Sequence, residues 1–344
     1  MSNRRVLLIG PFGPGQLPES FARAFERLGY EVFRFDSDRA YFEAGPGPGN
    51  RFVRRLLRRV LWERMNRSTC EIIRCVRPRF VLTVKGTYLH AETVARVRRE
   101  LGVPFVNYYA DNPYCGVPWN PRKSSTQRRD LIAVLREYTQ VWIWERGMAQ
   151  RLVTDGVAAG YLPFAVDPEI SRPLTPAACA ECGTRHEVIF IGQHCEKRQA
   201  HIGAVRQHSV ALWGSRWQRA AAALNGQARI HQGAVFGADC AALYSSAALA
   251  LNVVDDLNMP GHNMRTFEIT GSGGLMLSTY TAEQAEFFPE DQAALYYREP
   301  AEIDDKIERI RGDRPWAARL RKNALALAAG HQYTERAQTI AANL

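Results

Sequence analysis

The stretch Asn263-Met-Arg-Thr-Phe-Glu-Ile-Thr-Gly-Ser-Gly-Gly-Leu-Met-Leu277 decides how the chain reads. Its first part can wind as a helix, which places Arg265 and Glu268 three positions apart on one face. From Thr270 to Gly274 the side chains shrink abruptly, and residues 275–280 resume as a buried strand. Glycines at that joint, Gly273 and Gly274 among them, let a backbone approach a ligand that side chains would exclude. A guanidinium can fork onto a diphosphate, and a carboxylate can accept two ribose hydroxyls. One reading is therefore a grip on a nucleotide-sugar, with Asn263 opening it. The other is a capped helix carrying an exposed Arg265–Glu268 ion pair, followed by a tight turn into a core strand.

Outward from this stretch the order strand, loop, helix repeats. Strands are expected at 6–10, 30–35, 80–84, 104–109, 141–144 and 162–167, with helices at 20–28, 90–101 and 127–137 and Ser20 as the first N-cap. Residues 1–167 thus read as a parallel sheet covered on both faces. Residues 168–185 have three prolines, three alanines and no periodicity, which is linker composition. The rhythm restarts over 186–330, with strands at 188–192, 210–214 and 295–298 and helices near 197–208, 217–225, 303–311 and 316–329. Segments 228–231, 238–245 and 248–254 continue it, and 331–344 ends the chain as an amphipathic helix. The fold class is α/β, with two doubly wound, Rossmann-like domains. Such sheets bind ligands at the carboxyl ends of their strands, so function should sit in the loops after strands.

A length of 344 residues, 46% hydrophobic and 23% charged, suits two soluble domains that each bury a core. No run approaches the ~18 apolar residues of a membrane span, and the apolar run at the start stops at Pro11, too short for a signal peptide. The expected location is cytoplasmic. Residues 1–170 hold 27 Lys+Arg against 17 Asp+Glu, while 171–344 hold 18 of each, so the whole net charge of +10 lies in the first half. That field attracts an acidic partner. Residues 51–62 alternate apolar pairs with Arg51, Arg54, Arg55, Arg58 and Arg59 at helical spacing. This helix suits either a packed element with solvated arginines or peripheral contact with the inner face of an anionic membrane. Seven scattered cysteines do not suggest a disulfide framework, and Cys179-Ala-Glu-Cys182 reads either as two free thiols or as half of a zinc knuckle.

Several loops after strands hold candidate residues. The Gly10-Pro-Phe-Gly-Pro-Gly15 loop, with Gly13, permits close backbone approach but is neither a dinucleotide fingerprint nor a P-loop. Asp111, in Tyr109-Ala-Asp-Asn-Pro113, ends a buried strand; partly desolvated, it would serve as a general base, and otherwise it caps a turn. Lys85 ends another strand and can support an anionic group. Gly192, followed by Lys197 and Arg198 at a helix start, forms a natural pyrophosphate seat or an exposed charged turn. Trp213 and Trp217 flank Gly214 and can stack on a nucleobase or belong to the core. His194 and His262 read as surface or satisfied groups. Asp36-Ser-Asp38 and Asp255-Asp256 lack the further ligands a divalent metal needs, so no metal is expected. No dedicated nucleic-acid module is present, and no nucleic-acid partner is expected.

These residues resemble the CgeB-type, spore-maturation-protein-like glycosyltransferases of the GT-B fold. The similarity covers most of the chain: Lys85-Gly86, Asp111-Asn-Pro113, Phe190-Ile-Gly192 with Lys197-Arg198, Gly214 with Trp217, and above all Asn263-x-Arg-Thr-Phe-Glu268. The resemblance implies two domains facing each other across a cleft. The second would bind a nucleotide-diphosphate sugar, the first an acceptor, and the last helix would cross back onto the first domain. It makes Glu268 the ribose-binding member of a glutamate pair eight positions apart, whose other position holds Pro260. The implied activity is metal-independent glycosyl transfer to an anionic, polysaccharide or protein acceptor, without a cofactor. An epimerase acting on the same donor, or a basic protein that binds membranes or nucleic acid, remains the alternative.

Overall fold

The computed structural model describes residues 3–43, 51–86, 88–115, 125–175, 186–224, 226 and 228–344; the side chains of 42–43, 51–56, 58 and 125–130 fall outside the description. The chain forms two compact units, Met1–Pro163 with Tyr333–Leu344, and Phe164–Gln332.

The first unit holds β1 Arg5–Gly10, α1 Leu17–Arg27, β2 Glu31–Asp36, α2 Ser37–Glu43, α3 Arg51–Val76, β3 Phe80–Val84, α4 Ala91–Glu100, β4 Phe105–Tyr109, α5 Ser125–Arg136, β5 Gln140–Ile143, α6 Arg146–Thr154 and β6 Ala159–Tyr161. All strands pair in parallel in the order β2-β1-β3-β4-β5-β6. β3 is buried along its whole length, as expected for a parallel strand covered on both faces. α1 buries Leu17, Ser20, Phe21, Ala24 and Phe25, the i, i+3, i+4, i+7, i+8 stripe of a helix lying on a sheet.

Three local expectations change. Ser20 is a buried residue inside α1, not its cap, because the helix starts three residues early at Leu17, after Gln16, with Pro18 in its first turn. The sixth strand lies at Ala159–Tyr161 rather than 162–167: Pro163 lacks the N–H a ladder needs, while Gly160 leaves room for the Trp142 ring that would lie 2.6 Å from a Cβ there. Phe164, Ala165 and Val166 are buried, and the second unit begins at Phe164, inside the expected first domain. α6 was not anticipated; Glu145 caps it by accepting hydrogen bonds from Gly147 N and Met148 N.

The second unit holds β7 Val188–Ile191, α7 Glu196–Gly203, β8 Val210–Trp213, a 3₁₀ turn Trp217–Ala220 running into α8 Ala221–Leu224, β9 Ala228–Ile230, α9 Ala238–Ser246, β10 Leu249–Asn252, α10 Met264–Gly271, β11 Met276–Thr279, α11 Ala282–Phe287, β12 Leu295–Tyr297, α12 Ile303–Gly312 and α13 Arg314–Ala328. Its six parallel strands run β12-β11-β10-β7-β8-β9. The order reverses between β7 and β10, which puts the topological switch point, where open α/β sheets bind ligands, at the loops after Ile191 and Asn252. The corresponding reversal in the first unit falls between β1 and β3.

The last helix, α14 Tyr333–Ala342, belongs to the first unit, where the Tyr333 ring lies 5.1 Å from that of Phe21 in α1. Arg336 donates to the Pro163 carbonyl at 3.1 Å. In the second unit, Val166 N donates to the His331 carbonyl at 2.7 Å. Segments 168–175 belong to the second unit, while 176–185, with Cys179 and Cys182, lie outside the described residues.

Candidate functional site

Asn263 starts α10 as its N-cap, accepting from Thr266 N at 3.2 Å. Its amide also donates to Asn252 Oδ1 at 2.9 Å, at the end of β10. Beneath the helix, Gln284 Oε1 accepts from Thr266 Oγ1 at 2.8 Å, Ser278 Oγ at 3.1 Å and Asn252 Nδ2 at 3.3 Å. Its Nε2 donates to the Thr279 carbonyl at 2.9 Å. This buried, satisfied network fixes the rotation of α10 about its axis. Asn263 is therefore a positioning residue, only 4% exposed, with its amide committed inside the unit. The sequence holds no sign of this role for Gln284, because the network closes only when Asn252 and Thr266, 32 and 18 positions away, meet it.

The rotation so fixed sets Arg265 over the switch point. Its Nε donates to the Ile191 carbonyl at the end of β7, and a Cβ on Gly192 would lie 2.7 Å from its guanidinium. Gly192 is thus glycine because the guanidinium lies against it. Gly214, at φ 139°, is required for the same layer: a Cβ there would lie 2.1 Å from the Gly192 oxygen. Trp217 donates from Nε1 to that oxygen at 2.7 Å, with its ring edge-on to Phe190 and His194. Completely buried, Trp217 is a brace for the Gly192 loop, and the base-stacking reading is corrected. Trp213 stacks on His231 at 4.2 Å instead.

Arg198 lies in α7 beside this loop and is 7% exposed. It pairs with Asp255 at 2.8 Å and donates to the Gln193 carbonyl at 2.8 Å. Burial and the nearby Arg265 charge both lower its pKa. Lys197 pairs with the exposed Asp256 at 2.7 Å. Glu268 is half-buried, one turn along α10 from Arg265. Its carboxyl is raised above the ordinary range by burial, against the lowering pull of Arg265. Yet Arg265 and Glu268 form no salt bridge, with each other or with any other described residue. The exposed ion pair of the alternative reading is absent. Cys240 and Tyr244 of α9 line the Glu268 side, and burial pushes the Cys240 thiol up to about 12.

The glycine joint after α10 has a different role from the expected one. Gly273, at φ 73°, packs against Pro173, and a Cβ on Gly274 would lie 2.9 Å from the Tyr244 carbonyl. Both lie where α10 ends and before β11 begins, at the amino ends of the strands, away from the switch point. Gly273 and Gly274 turn the chain from α10 into the core strand β11.

In the first unit, Lys85 ends β3 with φ 66°, a left-handed conformation rare outside glycine, and pairs with Asp111 at 2.9 Å. Asp111 is more than half exposed, not partly desolvated as expected of a base. Gly13 lies in the loop after β1, where its carbonyl accepts from Gln16 N at 3.1 Å. On α3, the described side chains show Leu57 37% and Val60 63% exposed beside exposed Arg59, while Leu61 is buried. Of the described part of the apolar stripe, Leu61 is packed while Leu57 and Val60 are not. Among the described residues, no three His, Cys, Asp or Glu are grouped to hold a metal, and no helix is long and apolar enough to cross a membrane.

The two units together have the GT-B fold. Sucrose-phosphate synthase (tll1590) from Thermosynechococcus elongatus is similar in structure, with a TM-score of 0.77 and 14% identity over 98% of this chain and 97% of that one. Anabaena Alr3699/HepE, solved in complex with UDP-glucose, gives 0.68 and 11% identity over 99% and 100%. A glycosyltransferase from Rickettsia africae ESF-5 gives 0.67 and 12% over 99% and 98%. Residues 196–342 match the family described as Glycosyl transferase-like, a range that takes in α7, the loop after β10 and α10. No curated protein matches the sequence.

Proposed function

We propose that the protein is a CgeB-type glycosyltransferase that takes a sugar from a nucleotide-diphosphate donor without a metal. One observation carries this reading: a guanidinium and a half-buried carboxylate one helical turn apart at the switch point, neither spent on the other. Arg265 and Arg198 supply the positive charge that neutralises a departing diphosphate, the task a metal performs elsewhere. The Gly192 loop admits the phosphates, and Glu268 accepts the ribose hydroxyls. The UDP-glucose held by HepE, a protein of the same fold, supports this donor class. Asp111 remains the candidate base, with Lys85 as its counter-ion, and Gly13 in the loop after β1 is the other acceptor-side residue.

A thermal-shift panel with EDTA present tests the donor class. UDP, GDP, ADP and their hexose esters are the probes, and at least one pair should raise the melting temperature by several degrees as its concentration passes Kd. No shift with any of them sinks the proposal. Sugar products formed from the donor alone, without acceptor, would identify an epimerase instead.

A peripheral membrane contact through Arg51–Arg59 is a second proposal, supported by the exposed Leu57 and Val60 beside Arg59. Five arginines and no acid lie within residues 51–60, a charge pattern suited to anionic lipid. Co-sedimentation with phosphatidylglycerol vesicles should fall at least about fivefold in Leu57→Glu/Val60→Glu. Equal binding by wild type and variant, or none by wild type, refutes this contact.

A further inference from the structure

The ion pair Arg198–Asp255 joins α7, just past the Gly192 loop, to the loop that follows β10. It is left incomplete on both sides. Arg198 Nε and Asp255 Oδ1 are buried atoms without a hydrogen-bond partner among the described residues. A buried guanidinium with a free N–H, next to a second guanidinium, awaits an anion. The carboxylate beside it does the opposite, since it repels whatever anion Arg198 and Arg265 attract. Asp255 is held there by its own turn, its carbonyl accepting from Asn258 N at 2.9 Å and Met259 N at 3.1 Å.

We propose that Asp255 is a charge-discriminating residue that weakens the site's hold on the nucleoside diphosphate product more than on the nucleotide-sugar donor. The inference rests on the donor reading above. In the transfer, the acceptor oxygen bonds to the anomeric carbon and gives its proton to a base, while the bond from that carbon to the β-phosphate oxygen breaks and leaves its electron pair on that oxygen. A donor of charge about −2 thereby becomes a product of about −3 above pH ~6. The new charge arises on the phosphate next to the sugar, where a fixed carboxylate opposes it. A site made only of arginines would hold its product more tightly than its substrate; one carboxylate reverses part of that preference, a repulsive element that sets selectivity.

The test is calorimetry on the full chain with UDP and UDP-glucose, GDP and GDP-mannose, and ADP and ADP-glucose, using the pair the wild type binds. In Asp255→Asn, which keeps an oxygen for Arg198, the diphosphate should tighten at least about fivefold more than the nucleotide-sugar. Asp255→Glu should keep the wild-type ratio within about twofold, and so should Asp256→Asn at the exposed neighbouring pair. Should the Asn variant not fold, Asp255→Ser makes the same comparison. Equal changes for both ligands would mean that Asp255 only positions Arg198, and would overturn the proposal while leaving the donor reading intact. A wild type that binds no pair defeats the donor reading and this inference with it.

Discussion

Arg265→Ala should lower affinity for the nucleoside diphosphate by about one and a half orders of magnitude or more. Removing one partner of a desolvated, hydrogen-bonded charge pair costs about 2–5 kcal/mol, and each ~1.4 kcal/mol is tenfold in Kd. The loss should fall on the diphosphate, so the free nucleoside, already weak, should change little. Arg265→Lys should not restore binding, because an ammonium cannot both donate to the Ile191 carbonyl and fork onto a phosphate across Gly192. Isothermal titration of wild type and both variants decides this. Unchanged affinity in Arg265→Ala would remove the diphosphate from this place in the fold.

Glu268→Gln should cost about 1.5–3 kcal/mol of nucleotide binding, the worth of hydrogen bonds to a charged acceptor. It should also make the unliganded protein more stable at neutral pH. The sign follows from the raised carboxyl. Between the ordinary value of 4.5 and the raised folded-state value, the native state keeps a proton that the unfolded state has released. Stability associated with Glu268 is therefore fully present below the unfolded value and is lost as pH rises through the folded one. The glutamine variant escapes that loss, so its advantage in melting temperature should grow with pH across this window and vanish below it. Ligand binding runs the other way: ribose hydroxyls need the ionised acceptor, so affinity should fall as pH drops through the raised value, sooner than for an ordinary carboxylate. Because Arg265 pulls the Glu268 value down, Arg265→Ala should move that fall to still higher pH. Melting curves and titrations across pH 4–8 test both signs (about that range brackets a raised carboxylate). A glutamine variant less stable than wild type at pH ~7 would show that Glu268 stabilises the helix instead of serving a ligand.

The α/β class and the strand-helix rhythm were legible because buried parallel strands form short apolar runs, and covering helices carry a 3.6-residue stripe. Arg265 and Glu268 were legible as a pair because helical spacing is local geometry. The errors share one cause. Trp217 and the Gly273–Gly274 joint were read as ligand contacts from residue type alone, while their actual neighbours, the Gly192 carbonyl, Pro173 and the Tyr244 carbonyl, come from other elements. Asp255 was read only as an inadequate metal ligand, and its pairing with Arg198, 57 positions away, has no local signature.

What this sequence determines by itself is which segments become strands and helices, and which side chains share a helix face, because those follow from backbone periodicity within a few residues. Tertiary structure alone decides which end of each element meets the switch point and which polar groups remain unspent there. Those outcomes depend on strand order and on hydrogen bonds closed between segments far apart in the chain.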